Sequence, residues 1–383
     1  MATRSPSVPS PTLTVGVLLT AWVFAAAWML FPYVMIDVSF YYIPWYQHVL
    51  AAGPIGAFNE PFSNYTPPYL YLLALAAPFA GLMPDAVIIK LLALAGHVLL
   101  ALASFRLLRS LGVRAAAIGG AAVFALPTLF ANPVLLGQCD ALYAAPIVLA
   151  LAAAIDRRHS AMLLWCGLAL AIKLQAILIA PFFLALLLAR HVPAKQWLLA
   201  PGGYIAAFVP AWLAGWPAAD LATIYFRQAA DFGGDVVLNA PNVWTLLPVP
   251  GSSGWATSLP LAITAAVAVA FLVSATARLK EADHARLIEF ALLSVLIMAG
   301  LLPRMHERYF LLADLLALVL AFARPTRDTI AIAVLVQLGS IGALAAYVTG
   351  VNEFAQLGAL AMIAATWVVA GDLFGKRREH ATA

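Results

Sequence analysis

The chain has 383 residues, of which 64% are hydrophobic and only 10% charged, where a soluble globular domain carries about 25% charged residues. This composition excludes a water-soluble enzyme and leaves no length for a large soluble domain; it predicts an all-α, polytopic membrane protein with one transmembrane domain over residues 1–383. The formal net charge is +4, no nucleic-acid partner is expected, and the two cysteines, Cys139 and Cys166, lack both CxxC spacing and a His/Cys cluster, so neither a metal site nor a redox pair is expected.

Apolar runs predict about twelve spans, at 12–32, 86–108, 115–131, 140–155, 160–174, 176–190, 197–215, 256–277, 286–302, 308–323, 329–349 and 354–373. The first run contains Ala25-Ala26-Ala27, a small-residue pattern resembling a signal-peptidase site. It continues apolar through MLFPYVMI and is read as an uncleaved signal anchor. Residues 33–85 then form a long loop with no Lys or Arg. It holds Asp37, Glu60, Asp85 and two aromatic clusters, and its apolar piece, Tyr69 to Leu82, is too short to span and is expected to lie along the interface as a helix. Several middle spans are shorter than the ~20 residues a bilayer requires, which implies ends buried in protein or in a water-filled cavity. A second long loop occupies 216–255.

Most of the 21 basic residues fall in alternate breaks: Arg4; Arg106, Arg109 and Arg114; Arg157 and Arg158; Arg190 and Lys195; Arg278, Lys280 and Arg286; Arg324 and Arg327; and Lys376, Arg377 and Arg378. Retention of positive charge on the cytoplasmic side places both termini in the cytoplasm and the loops 33–85 and 216–255 outside. The expected location is the cell inner (plasma) membrane, multi-pass, with the site on the extracytoplasmic side.

On this topology the costly polar residues gather at that side: Asp37, Gln138 and Asp140, Lys173 and Gln175, Asn239 and Asn242, and the Arg304-to-Arg308 stretch, which holds His306 and Glu307. Each has an ordinary reading alone. An Asp after a span is often interfacial, Asn-Ala-Pro-Asn is a turn sequence, and Lys173 or Arg304 can snorkel. A charge at span depth costs a few kcal/mol, however, and usually faces a cavity or a partner.

The order of Asp37 with Tyr41 and Tyr42, NYTPPYLYLL, GQCDALYA, KLQAILIAPFF, NAPNVW and MHERYFL resembles the GT-C superfamily of membrane glycosyltransferases. It is most similar to bacterial polyprenyl-phosphate-mannose-dependent mannosyltransferases and to dolichyl-phosphate-glucose glucosyltransferases. The resemblance runs from about Asp37 to Leu312 and rests on the order of the motifs. It implies a GT-C-like fold with interfacial helices in the first outer loop. It also implies a polyprenyl-phosphate sugar donor, a glycan or glycolipid acceptor, membrane lipid as surroundings and no cofactor. The acidic base that this superfamily carries in its first outer loop matches Asp37.

The chemistry can be argued beside the resemblance. Transfer of a sugar from a phosphate needs a base for the incoming hydroxyl and positive charge for the departing phosphate. Asp37 would supply the first; Lys173, Arg304, His306 and Arg308 would supply the second. Tyr41, Tyr42, Glu60, Tyr65, Gln138, Asp140, Gln175, Asn239, Asn242, Trp244 and Glu307 are the candidate substrate contacts. Direct displacement inverts the anomeric centre; retention would need a second carboxylate, for which Glu60 and Asp140 stand as candidates. Because the 304–308 cluster holds more positive than negative charge, an arginine is expected to be left for an anionic lipid phosphate. The sugar implied first is mannose.

The rival from another class is a transporter or flippase for a lipid-linked or anionic substrate. It would need paired Gly/Pro-broken helices in matching halves and polar residues on the cytoplasmic halves of the spans to line a second gate, and the sequence displays neither.

Overall fold

The computed structural model describes residues 11–231, 236–247 and 255–375. All twelve apolar stretches are helical. They are Pro11–Leu30, Asp85–Ser110, the broken pair Ala116–Ala122 and Pro127–Val134, Asp140–Ile155, His159–Ile172, Ala180–Ala189 behind a 3-10 turn, Leu199–Leu213, Trp255–Arg278, His284–Leu301, Leu311–Ala323, Arg327–Thr349 and Asn352–Phe374. Five helices are long and apolar enough to cross a membrane, and up to seven crossings result if each of two bent pairs counts as one. The others are shorter: at 1.5 Å per residue, the 16 residues of Asp140–Ile155 fall short of the ~30 Å hydrocarbon core.

The two bends are 54°, between Ala116–Ala122 and Pro127–Val134, and 119°, between Ala194–Leu213 and Ala218–Gln228. Proline explains the first. Pro127 lies at the start of the second half, where its missing N–H costs nothing, and it disfavours helical backbone at Leu126, which is extended. Two helix pairs are therefore sharply bent, which the apolar runs alone did not display.

Other ends obey local chemistry. Arg327–Thr349 opens on a capping box between Thr326 and Thr329 and closes on Gly350 in the left-handed region. It then packs back on Asn352–Phe374 through glycine: a Cβ on Gly342 would lie 2.5 Å from the Phe354 carbonyl oxygen, and one on Gly358 would lie 2.6 Å from that of Gly339. Lys90, wholly buried in Asp85–Ser110, donates to the carbonyls of Leu30, Phe31 and Tyr33. It thereby satisfies acceptors that the first helix leaves open at its C-terminus.

The main core lies between the middle helices and His284–Leu301 with Leu311–Ala323. A second, aromatic core forms from residues 33–85 together with Trp216 and Phe208, with Tyr42, Tyr46, Phe58 and Tyr69 buried in it. The piece expected along the interface folds as the helix Pro67–Ala76 and the turn Ala77–Phe79. One element departs from an all-α chain: Val237–Leu238 pairs in parallel with Met305–His306, and Asn239 bridges to His306.

The bundle has two polar ends. Residues 33–85, 236–247 and 302–310 meet at one. At the other, Arg106 pairs with Asp156 at 2.5 Å, Arg286 with Glu289 at 3.0 Å, and Arg324 with Glu289 and Asp372. Glu289 is 1% exposed, so the halves expected to lack polar residues hold a buried acid. Arg4, Lys376, Arg377 and Arg378, on which the sequence-based orientation also drew, lie outside the described residues, as do parts of the loop 216–255.

Candidate functional site

Asp37 lies just before a single π-helical turn, Val38–Tyr42, that leads into the helix Ile43–Ala52. Such turns insert an extra residue and re-aim side chains, frequently at functional sites. Here Tyr42 is buried while Tyr41 stays 47% exposed. Gly137 lets the next strand of chain come close: its φ is +66°, and a Cβ there would lie 2.5 Å from Val38 Cγ2. Gln138 can therefore reach Asp37, and its Nε2 donates to Oδ2 at 2.6 Å. Tyr42 OH donates to Gln138 Oε1 at 2.7 Å and lies 2.9 Å from Tyr65 OH. The amide is thus held by one end and used by the other.

Arg308 approaches from the opposite side. The sequence begins a span at 308, but the helix starts only at Leu311, because the ribbon holds Met305–His306 and turns the next residues into the bundle. Its Nη1 donates to Glu307 Oε1 at 2.7 Å, its Nη2 lies 3.2 Å from Asp37 Oδ2, and its Nε lies 3.7 Å from Asp140 Oδ2. Lys173 occupies the break between His159–Ile172 and the 3-10 turn Leu174–Ile179, in extended backbone. It pairs with Asp140, and its Nζ lies 5.1 Å from the centre of the Tyr65 ring. Asn132 donates to the other Asp140 oxygen at 2.8 Å.

The result is a chain of ion pairs, Asp37 to Arg308 to Asp140 to Lys173, with graded access. Side-chain exposure is 24% at Asp37, 9% at Arg308, 4% at Lys173, 2% at Asp140 and 1% at Glu307. Arg308 faces three carboxylates, so it is not the arginine that the cluster leaves over, and Lys173, the expected phosphate contact, pairs with Asp140.

Burial pushes the Glu307 carboxyl up, but Arg308 and His306 outweigh it and bring it down to about 2. Burial pushes His306 below its ordinary value against the opposing pull of Glu307, 3.6 Å away, so it is neutral at pH 7. Burial raises the Tyr65 phenol to about 12 despite Lys173. It therefore serves as a neutral hydroxyl.

The remaining candidates divide. Asn242 accepts from Trp244 N at 3.1 Å and donates to the Leu302 carbonyl, and Trp244 Nε1 donates to Leu301 O at 2.6 Å. Both staple the segment 236–247 to the end of His284–Leu301. Asn239 takes φ 60°, which its side chain tolerates, and Arg304 takes the same φ while its N–H donates to Val236 O at 2.7 Å. Gln175 lies beside Tyr309. Glu60 is exposed and has no part in the network. Asn132 and Tyr347, the latter close enough to feel the charges of Asp37, Glu307 and Arg308, escaped the sequence reading. Asn132 had a signal, a polar residue in an apolar run eight positions before Asp140; Tyr347 had none.

No protein-family model matches the chain, and no curated protein matches it. The site's chemistry must therefore be read from its own geometry.

Two grooves flank it. One, of about 420 Å³, is lined by Tyr41, Trp45, Phe62, Ser63, Asn64 and Gln228 among others. The second, of about 480 Å³ and almost wholly apolar, runs between helices past Leu99, Leu142, Pro146 and Trp165 to Tyr69 and Ile172, beside Lys173. Among the described residues no group of three or more His, Cys, Asp or Glu is placed to hold a metal ion. The arrangement offers a partly accessible carboxylate fixed by an amide and a guanidinium, near an aromatic groove that begins at Tyr41. It suits proton abstraction from a hydroxyl.

Proposed function

We propose that the protein is a GT-C-like membrane glycosyltransferase of about twelve spans. It moves one sugar, mannose being the first to test, from a polyprenyl-phosphate donor to a glycan or glycolipid acceptor on the extracytoplasmic face. The observation that carries this reading is the position of Asp37. It is the most exposed carboxylate of the ion-pair chain, held at 2.6 Å by Gln138 and at 3.2 Å by Arg308, four residues before Tyr41 of the aromatic groove.

In this reading Asp37 takes the acceptor hydroxyl's proton as the oxygen attacks the anomeric carbon. The bond from that carbon to the phosphate oxygen breaks, and polyprenyl phosphate leaves with the electron pair. Inversion follows from direct displacement. Glu60 is exposed and Asp140 is committed to Lys173, Arg308 and Asn132, so neither of the two candidates for a covalent intermediate is poised for that role. Arg308 spreads its charge over Asp37 and the departing phosphate. Half-buried Arg304 and His306 are the candidates for direct phosphate contact, while Lys173 keeps Asp140 in place. The isoprenoid chain lies in the apolar groove, which ends beside Lys173.

The test is sugar transfer by purified protein from polyprenyl-phosphate mannose, with glucose and arabinose donors in parallel. Asp37→Asn keeps shape but cannot accept a proton, so turnover is expected to fall by roughly 10²–10⁴ with donor binding retained. Near wild-type transfer by that variant would remove Asp37 from the mechanism.

A second reading, a transporter or flippase for a lipid-linked or anionic substrate, is favoured by the two bent helix pairs and by the buried Glu289 at the far end. Detergent solution separates the two: an enzyme transfers sugar there, whereas a carrier has no second compartment and gives no product.

A further inference from the structure

Behind the Glu307–Arg308 pair, deeper in the bundle, is a cavity of about 20 Å³, lined by Thr128, Asn132, Glu307, Arg308, Asp314 and Ser340 together with three leucines. Its walls hold several buried polar atoms without a hydrogen-bond partner: Asn132 Oδ1, Glu307 Oε2, Ser340 Oγ and Arg308 Nε. Asn132 is 1% exposed, Glu307 2% and Ser340 4%. Orphaned groups of this kind are costly and scattered in most folds; here they converge on one small space. Thr128 Oγ1 donates to Asp314 Oδ2 at 2.9 Å and accepts from Gln337 Nε2 at 2.6 Å, which leaves it a second lone pair. Asn132 has spent an amide hydrogen on Asp140 and presents its oxygen.

Among the side chains named around this space, carboxyl groups outnumber cationic ones. Arg308 and Lys173 face Asp37, Asp140 and Glu307, and Asp314, 4% exposed, adds a further carboxyl group whose neighbours are the neutral Thr128, Gln337 and Ser340. The broken helix pair supplies Thr128 and Asn132 from its second half. Interrupted helices inside bundles are where unwound backbone and short polar side chains gather around coordinating ions.

The geometry points to a binding site for one small monovalent cation, of the size of Na⁺, held by oxygens of Thr128, Asn132, Glu307, Asp314 and Ser340. The ligand set is hard oxygen throughout, which rejects thiophilic and imidazole-seeking metals. One of its two carboxylates is already shared with Arg308, which leaves the lining short of the anionic oxygens that a divalent ion takes. The space admits about one water-sized occupant. Bound there, the cation would hold Glu307 Oε2 and so set the direction of Arg308 toward Asp37. The inference stands whether the site transfers sugar or carries a substrate.

The test is thermal unfolding of the purified full-length protein in NaCl, against N-methyl-D-glucamine chloride at equal ionic strength. The melting temperature is expected to rise with the logarithm of Na⁺ concentration, by about 2 °C or more up to 150 mM, because a ligand bound only to the folded state stabilises it by mass action. Asp314→Asn should abolish the Na⁺ response and Ser340→Ala should shift it to higher Na⁺. If Asp314→Asn does not fold, Ser340→Ala carries the test alone. Equal melting temperatures of the wild type in both salts, or a full Na⁺ response in a folded Asp314→Asn or in Ser340→Ala, would overturn the site.

Discussion

The buried pair of Lys173 and Asp140 permits the sharpest separation of structural from catalytic roles. Both side chains are almost inaccessible, 4% and 2% exposed, and Asp140 also accepts from Asn132 at 2.8 Å and lies 3.7 Å from Arg308. Removing one partner leaves an uncompensated charge at membrane depth. Lys173→Met or Asp140→Asn alone should therefore cost about 3–5 kcal/mol. Removing both deletes the charge problem together with the attraction, so Lys173→Met/Asp140→Asn should be destabilised by much less than the sum of the singles. The assay is melting of detergent-purified variants, paired with sugar transfer per folded molecule. Singles that each cost under about 1 kcal/mol and add in the double would refute a tightly held buried pair. Transfer that returns with stability in the double variant would mean that Lys173 acts by holding Asp140. Transfer that stays lost in a stable double variant would restore Lys173 as a direct phosphate ligand.

Protonation of Glu307 should matter only in acid. Its folded-state carboxyl is held at about 2, so its contribution is complete above the unfolded value near 4.5 and is lost as the pH falls toward 2. Glu307→Gln should flatten the melting profile in that window. His306, held below 6.5 by burial, binds its proton more readily when unfolded, so stability should also fall as the pH drops below 6.5, and His306→Gln should remove that limb. Labelling of intact cells with an impermeant thiol reagent should modify Ser63→Cys and spare Ser110→Cys; the reverse would put Asp37 on the cytoplasmic side. Arg324→Met should lower the melting temperature by exposing Glu289 to partial loss of its partners, while sugar transfer per folded molecule stays at the wild-type level.

How far the sequence could be read depended on whether the information was local. Apolar runs determine helices through composition alone, and Asp140–Ile155 begins and ends where its run does. Crossing number was less legible, since a run of apolar residues does not say whether its helix is straight or, as at Ala125 to Pro127, bent. Most of the polar residues singled out from the sequence meet at one end of the bundle, yet their partners were hidden. Nothing local says that Lys173 meets Asp140, 33 positions away, or that Gln138 meets Asp37 across 101. The Arg304-to-Arg308 stretch was incompletely legible for the same reason: counted by itself it is cationic, but Asp37 and Asp140 arrive from elsewhere beside Arg308. Asp314 was overlooked because a single acid in an apolar helix carries no spacing signal.

The two ends of the bundle are asymmetric in a way that bears on mechanism. At the Asp37 end, exposure falls stepwise from Asp37 through Arg308 to Asp140, so a ligand can meet the outermost carboxylate while the inner pairs stay closed. At the far end, Glu289 is 1% exposed and is held by both Arg286 and Arg324, which also clamp Asp372. Opening that end would require a buried carboxylate to part from two guanidiniums, at a cost of the order of 3–5 kcal/mol if even one partner leaves without replacement. A carrier must meet that cost on every cycle, and its rate should rise when Arg324 is removed and the clamp loosened. A transferase needs only the Asp37 end, and the clamp then serves it as a fixed base against which Arg308 is aimed. Arg324→Met thus changes transport rate in one mechanism and only stability in the other.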